Sequence, residues 1–215
     1  MNRQTITSWR CWQEMRVPVL NSVLGPLLLV LLTFGASGQS WTREEMNQAN
    51  TAAGIGHIPE QDREIIKYLN LARLFPARFA QIEVVPYLGG EKYGNYLRDS
   101  PYKTSLLEEL YGRQPVKPLV FHSGMYELAV CFARESGRLG TTGHNRRDCR
   151  DGYFGECCSY GMDNGREVVL QLLIDHDVPS LGHRRICLSD EYSGVGPHLT
   201  AHAEWDHCAV LDFTY

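Results

Sequence analysis

Residues 155–188 read GECCSYGMDNGREVVLQLLIDHDVPSLGHRRICL, and the rest of the chain is arranged around them. The stretch opens with a segment of strand character ending at Tyr160 and Gly161, continues into a helix, and breaks at Pro179 before presenting Gly182 and His183. Asn164 is placed to cap the helix, and Glu167, three residues on, occupies the capping-box position. The residue before a proline is pushed out of the helical region, so the spacing predicts a stop at Val178-Pro179. At about 100° per residue, Val168, Val169, Leu172 and Leu173 share one side of this helix, with His176 near its middle and Asp175 at its edge. Glu167 and Asp177 point away. A histidine turned toward the core at a helix end is read first as a hydrogen-bonded structural residue and second as a ligand.

Upstream, Arg3, Arg10 and Arg16 precede an apolar run from Val23 to Phe34, and Ala36-Ser37-Gly38 supplies small residues before Gln39. This is the pattern of a cleavable export signal over residues 1–38. The apolar run is too short for the roughly 20 residues that cross a bilayer, so no membrane anchor is expected after cleavage. A secreted protein, extracellular or periplasmic, follows from that reading. Cys11 would leave with the leader, and Cys131, Cys149, Cys157, Cys158, Cys187 and Cys208 would remain. An even set in an exported chain favours disulfides, and all six are candidates. A bridge from Cys149 to Cys157 or Cys158 is the expected local one, with Cys187 and Cys208 drawn into bridges beside the sheet.

Residues 39–58 show no sustained period and read as a flexible lead-in. Residues 59–215 are of a size that one domain fills. From Glu60 to Gln81, Ile65, Leu69, Ala72 and Phe75 recur at helical spacing, with Pro76 kinking or ending the helix. Leu106 to Tyr111 forms a second helical piece in a tyrosine- and glycine-rich connection. Ser123 is read as the cap of a third helix, in which Met125, Leu128, Ala129 and Phe132 form the buried stripe. Arg146, Arg147 and Arg150 read as a solvated loop. Residues 192–199 and 207–215 read as strands, the last alternating Ala209, Leu211 and Phe213 against Cys208, Val210 and Asp212. The predicted class is α+β, an α-β-α sandwich in which a small, mostly antiparallel sheet lies between helix layers. The net charge of −4 gives no footprint for nucleic acid or an anionic membrane surface.

Four segments carry a family resemblance. GECCSYG is similar to the G-E-N-x-x-Y-G segment, and PSLGHRRICL to the G-H-R-x-N-hydrophobic segment, of the CAP superfamily of cysteine-rich secretory, antigen 5 and pathogenesis-related proteins, which includes SCP-like bacterial members. Gly143-His144 matches the position of the first family histidine, and Val195-Gly196 with Val210-Leu211-Asp212-Phe213 resemble the closing strands. Asn70 and Arg73 resemble an N-x-x-R pair of the first helix, here expected as a solvated or packing-edge pair. Cys157 and Ile186 stand where the family has asparagines. The resemblance implies an α-β-α sandwich and a cavity lined by His144, Glu156 and His183, with Asp175 the nearest candidate for a second acid and His176 close by.

Two imidazoles with one or two carboxylates can hold a divalent metal such as zinc, with His144 and His183 the expected ligands. The same groups can act as acid and base without metal, or form a polar cluster in which the acids orient the histidines. No H-E-x-x-H helix and no G-x-S-x-G elbow is present in the sequence, so no catalytic residue is assigned. The expected function is that of a binding module for a small lipid-like molecule or sterol, a protein partner or a divalent metal. The alternative is a metal-dependent hydrolase using His144, Glu156 and His183.

Overall fold

A computed structural model describes residues 40–90 and 92–215; the expected leader over 1–38 lies outside them. The chain runs through α1 (Arg43–Ala49), α2 (Glu60–Leu74), α3 (Pro76–Phe79), α4 (Pro101–Gly112), β1 (Val120–Phe121), α5 (Ser123–Leu139), β2 (Gly155–Tyr160), α6 (Gly165–Ile174), α7 (Gly182–Leu188), β3 (Gly194–His202) and β4 (Asp206–Thr214). The four strands form one mixed sheet in the order β1-β3-β4-β2. Only the short β1–β3 pairing is parallel, and β3–β4 and β4–β2 are antiparallel. The mixed α+β class and the predominance of antiparallel pairing agree with the pattern read from the sequence.

Period-two alternation sends the two faces of the sheet to different helices. Ala209, Leu211 and Phe213 join the large core that includes Ile65, Leu69, Val169 and Leu173 of α2 and α6. Cys208 and Val210 pack instead with Ala129, Phe132 and Ala133 of α5. Helix α5 lies so close to the sheet that a Cβ on Gly196 would sit 1.9 Å from the backbone nitrogen of Tyr126, and one on Gly137 2.1 Å from the carbonyl of Ala201.

Several boundaries differ from the sequence reading. The lead-in contains α1, closed by a capping box between Thr42 and Glu45, and Trp41 packs near Phe75 and Phe79; too few apolar residues recur in so short a helix for a period to show. Helix α5 is capped by His122, whose ring accepts from the amide of Met125, and Ser123 is its first residue. Helix α6 keeps the Asn164 cap but ends four residues early, because Asp175 turns left-handed at φ 55°. Glu167 does not close a capping box; its carboxylate takes the Tyr87 hydroxyl and Arg166. His176 therefore lies beyond the helix.

Asn70 and Arg73 are fully buried clamps and not surface groups. Asn70 donates to the carbonyls of Ala49 and Leu119 and accepts from the amide of Leu119, and Arg73 holds four carbonyls, those of Lys117, Cys187, Ser189 and Tyr192. Arg184, also buried, holds the last carbonyls of α6 at Leu173 and Ile174 and that of Tyr102. Burying a guanidinium costs several kcal/mol unless its donors are satisfied, and here backbone carbonyls satisfy them, several of them at the ends of α6 and α7.

Candidate functional site

Strand β2 is an edge strand, and the candidate site wraps around its open side. Alternation places Glu156 and Cys158 on the face turned to α5, and Cys157 on the face turned to α7. His144 reaches Glu156 from the loop that follows α5, with its Nδ1 2.8 Å from Oε1. His183 comes from the first turn of α7 on the other side, with its Nδ1 2.7 Å from Asp175 Oδ1. The two imidazole centroids are 6.3 Å apart. Three segments distant in sequence thus supply His144, Glu156 and His183, and the α6–α7 connection adds Asp175.

An ionised carboxylate can only accept, so each histidine carries its proton on Nδ1 and leaves Nε2 as a lone-pair donor. Both carboxylates are buried, with side chains about 1% exposed, whereas His144 is 52% and His183 23% exposed. The rings are therefore held from beneath and open outward. The hydrogen bond to Glu156 raises the His144 pKa above its ordinary value, against the effect of burial.

Beneath His144 lies a charged layer absent from the sequence reading. Arg146, expected as a solvated loop residue, has a side chain only 3% exposed and ion-pairs with both Glu156 and Asp212. Its guanidinium lies over the rings of Phe132 and Tyr153. Asp212, fully buried, is pushed up to about 8, first by burial and then by the neighbouring Glu156 charge. The visible signals were the acid inside an otherwise apolar strand at Asp212, and the two-residue spacing of His144 and Arg146.

The loop bearing His144 and Arg146 is itself anchored. Cys131 of α5 is bonded to Cys149, and the Glu135 carboxylate accepts from the amides of Arg147 and Asp148. Those backbone donors hold the Glu135 carboxyl below its usual range. The expected bridge from Cys149 to Cys157 or Cys158 is thus replaced by one to Cys131, because the exit from α5 folds back along its own helix. Cys157, Cys158, Cys187 and Cys208 are unbridged and buried in the structure, so the expected sheet-side bridges of Cys187 and Cys208 are not present in it.

On the His183 side is a cavity of about 150 Å³, lined by Tyr96, Cys158, Tyr160, Gln171, Asp175, His176 and His183 among others. His176 does belong to this wall, but as a hydrogen-bonded residue: its Nδ1 is 2.8 Å from Ser100 Oγ, and Tyr96 and Tyr102 pack against its ring. The connection that delivers His183 is strained, with Asp175, Asp177 and Leu181 all at positive φ. For leucine this region costs about 1–2 kcal/mol, which surrounding packing must hold in place. His144, Glu156 and Cys158 also place one ligand atom each within 4.8 Å of one another, although Arg146 already neutralises Glu156.

No protein-family model, no curated protein and no solved structure matches this chain. Among the described residues no helix is long and apolar enough to cross a membrane.

Proposed function

We propose that this chain is an exported, CAP-like binding domain that takes a divalent metal ion between His144 and His183. One observation carries the reading: two imidazoles 6.3 Å apart, each fixed through Nδ1 by a buried carboxylate. A ligating histidine characteristically donates its other ring N–H to a carboxylate, which fixes the tautomer and raises the basicity of the ligating nitrogen. The donor set suits zinc, which takes neutral imidazoles at about 2.0–2.1 Å. When bound, the ion would supply Lewis acidity at the open edge of β2. The chain's own residues orient the two rings, and Arg146 balances the negative charge beneath them.

Size argues against a sterol or acyl chain at this point. The cavity of about 150 Å³ beside His183 is smaller than the roughly 300–1,000 Å³ typical of small-molecule pockets. The hydrolase alternative lacks an unengaged base, since Glu156 serves His144 and Arg146 while Asp175 serves His183 and the amide of Arg184. The order of α2, β2, α7 and the closing strands supports the CAP-like reading, and the arginine-flanked apolar run before Gln39 supports export. Mass spectrometry of the secreted protein tests export, and a chain beginning at Met1 overturns it.

Calorimetric titration with zinc tests the binding reading. Wild type binds one ion, His144→Ala and His183→Ala each weaken binding at least tenfold, and the double variant, folded by circular dichroism, shows none. Undiminished binding by the double variant, or none by wild type, overturns the proposal.

A further inference from the structure

On the sheet face opposite Glu156, Cys157 of β2 and Cys187 of α7 lie with their sulfurs 4.0 Å apart. Both side chains are completely buried in the large core, and no other thiol among the described residues lies on that side of β2. Cys158 points to the α5 face beside His144, and Cys208 donates to the carbonyl of Ala133 in α5. The four free thiols therefore divide into one facing pair and two sulfurs with no thiol opposite them.

We infer that Cys157 and Cys187 are a cystine-forming pair whose oxidation ties α7 to β2 beneath the His183 side of the site. A disulfide needs about 2.05 Å between the sulfurs, and the remaining gap of about 2 Å is within reach of rotation about the two Cα–Cβ bonds. The reaction is an exchange: one thiolate attacks an external disulfide such as oxidised glutathione, releasing one glutathione thiolate. The second cysteine then attacks the mixed disulfide and releases the other, so the pair gives up two electrons and two protons.

The timing follows from burial. In the folded chain glutathione cannot reach either sulfur, and burial and mutual proximity push the Cys157 thiol well up, away from the reactive thiolate. Arg73 also pins the carbonyls of Cys187 and Ser189, so α7 does not lift readily. The bond consequently forms before α7 docks and is inaccessible to reductant afterwards. Its consequence for the site is positional: the first turn of α7 carries His183, and β2 carries Glu156, so the bridge fixes the two halves of the metal-binding cleft relative to each other.

The test refolds the reduced protein, lacking residues 1–38, in a glutathione redox buffer and maps its peptides without reduction. This makes the outcome independent of both the export reading and metal binding. The expected result is a linked species, two hydrogens lighter than its component peptides, joining the Cys157-Cys158 peptide to the Cys187 peptide. The link survives in Cys158→Ala and disappears in Cys157→Ala. Cys158 and Cys208 remain open to alkylation once the oxidised chain is unfolded. Recovery of Cys187 as an alkylated, unlinked peptide from oxidised wild type, or loss of the link in Cys158→Ala instead of Cys157→Ala, overturns the inference.

Discussion

Glu156 and Asp212 stand in register on neighbouring antiparallel strands, and Arg146 bridges both carboxylates from above. Two acids and one base share a space from which water is excluded, so one acid keeps its proton near neutral pH. That acid is Asp212. Its carboxyl is raised from 3.8 to about 8, so the folded chain retains a proton that the unfolded chain has lost. Stability therefore falls as pH rises between these values and levels off above the upper one. Asp212→Asn keeps the shape without the titration. Urea unfolding should show the stability of the variant relative to wild type rising by about 1 kcal/mol or more between about pH 5 and about pH 8.5, since a tenfold difference in proton affinity between the folded and unfolded chain is worth about 1.4 kcal/mol. Identical pH profiles for the two proteins would refute the assignment.

In the proposed metal site Asp175 would act through His183, whose Nδ1 lies 2.7 Å from the Asp175 carboxylate. Replacing it by asparagine removes the negative acceptor on Nδ1, and loss of such a partner typically costs roughly 10–100-fold in metal affinity. Asp177→Asn is the control, because that side chain is 83% exposed. Zinc titrations of both variants should separate them by at least tenfold, with Asp177→Asn indistinguishable from wild type.

Protons compete for the same nitrogens. Zinc affinity should fall as pH drops through about 6.5, the ordinary histidine value. For His144 the competition begins at higher pH, because Glu156 stabilises its protonated form. In His183→Ala, where His144 is the remaining histidine ligand, the decline should therefore start above that value. Zinc titration of this variant across pH measures it, and a decline confined to lower pH would count against it.

Arg73→Met should be among the most damaging single changes away from the cleft. Four carbonyls lose their donor, that of Cys187 in a fully buried setting and the others partly buried, and each unsatisfied group costs about 1–3 kcal/mol, partly recovered by relaxation. A loss on the order of 3 kcal/mol in unfolding free energy is expected from denaturant titration. A change below about 1 kcal/mol would mean that water replaces the guanidinium.

Gly196→Ala tests the closeness of α5 to the sheet. The added methyl would fall 1.9 Å from a backbone nitrogen, where no rotamer change relieves it, so soluble folded protein should not accumulate. Gly54→Ala, with nothing within 4 Å, should behave as wild type in the same expression and melting assay.

The helices and strands with strong periodicity were legible in the sequence: the stripe from Met125 to Phe132, the alternation through Phe213 and the Asn164 cap all appear where their spacing puts them. The convergence of His144, Glu156 and His183 followed from a resemblance and from their positions at element ends, not from spacing. What could not be read were the consequences of tertiary closure. Arg146 looks like any loop arginine until the Cys131–Cys149 bond and Glu135 fold that loop inward. Arg73 and Arg184 look like surface charges because nothing local reveals that a distant helix will end against them. Asp175 defeats a helix boundary set by Pro179, since a left-handed turn at an aspartate is only weakly encoded by residue type.

The Cys131–Cys149 bond makes the segment bearing His144 a covalently closed ring. Arg147 is exposed within it, so a trypsin-like protease can cut there without releasing anything. The nicked molecule would migrate as one band until reduced, then as two. A cut at that point would break the continuity of the segment that carries His144 and still leave both of its ends attached to α5.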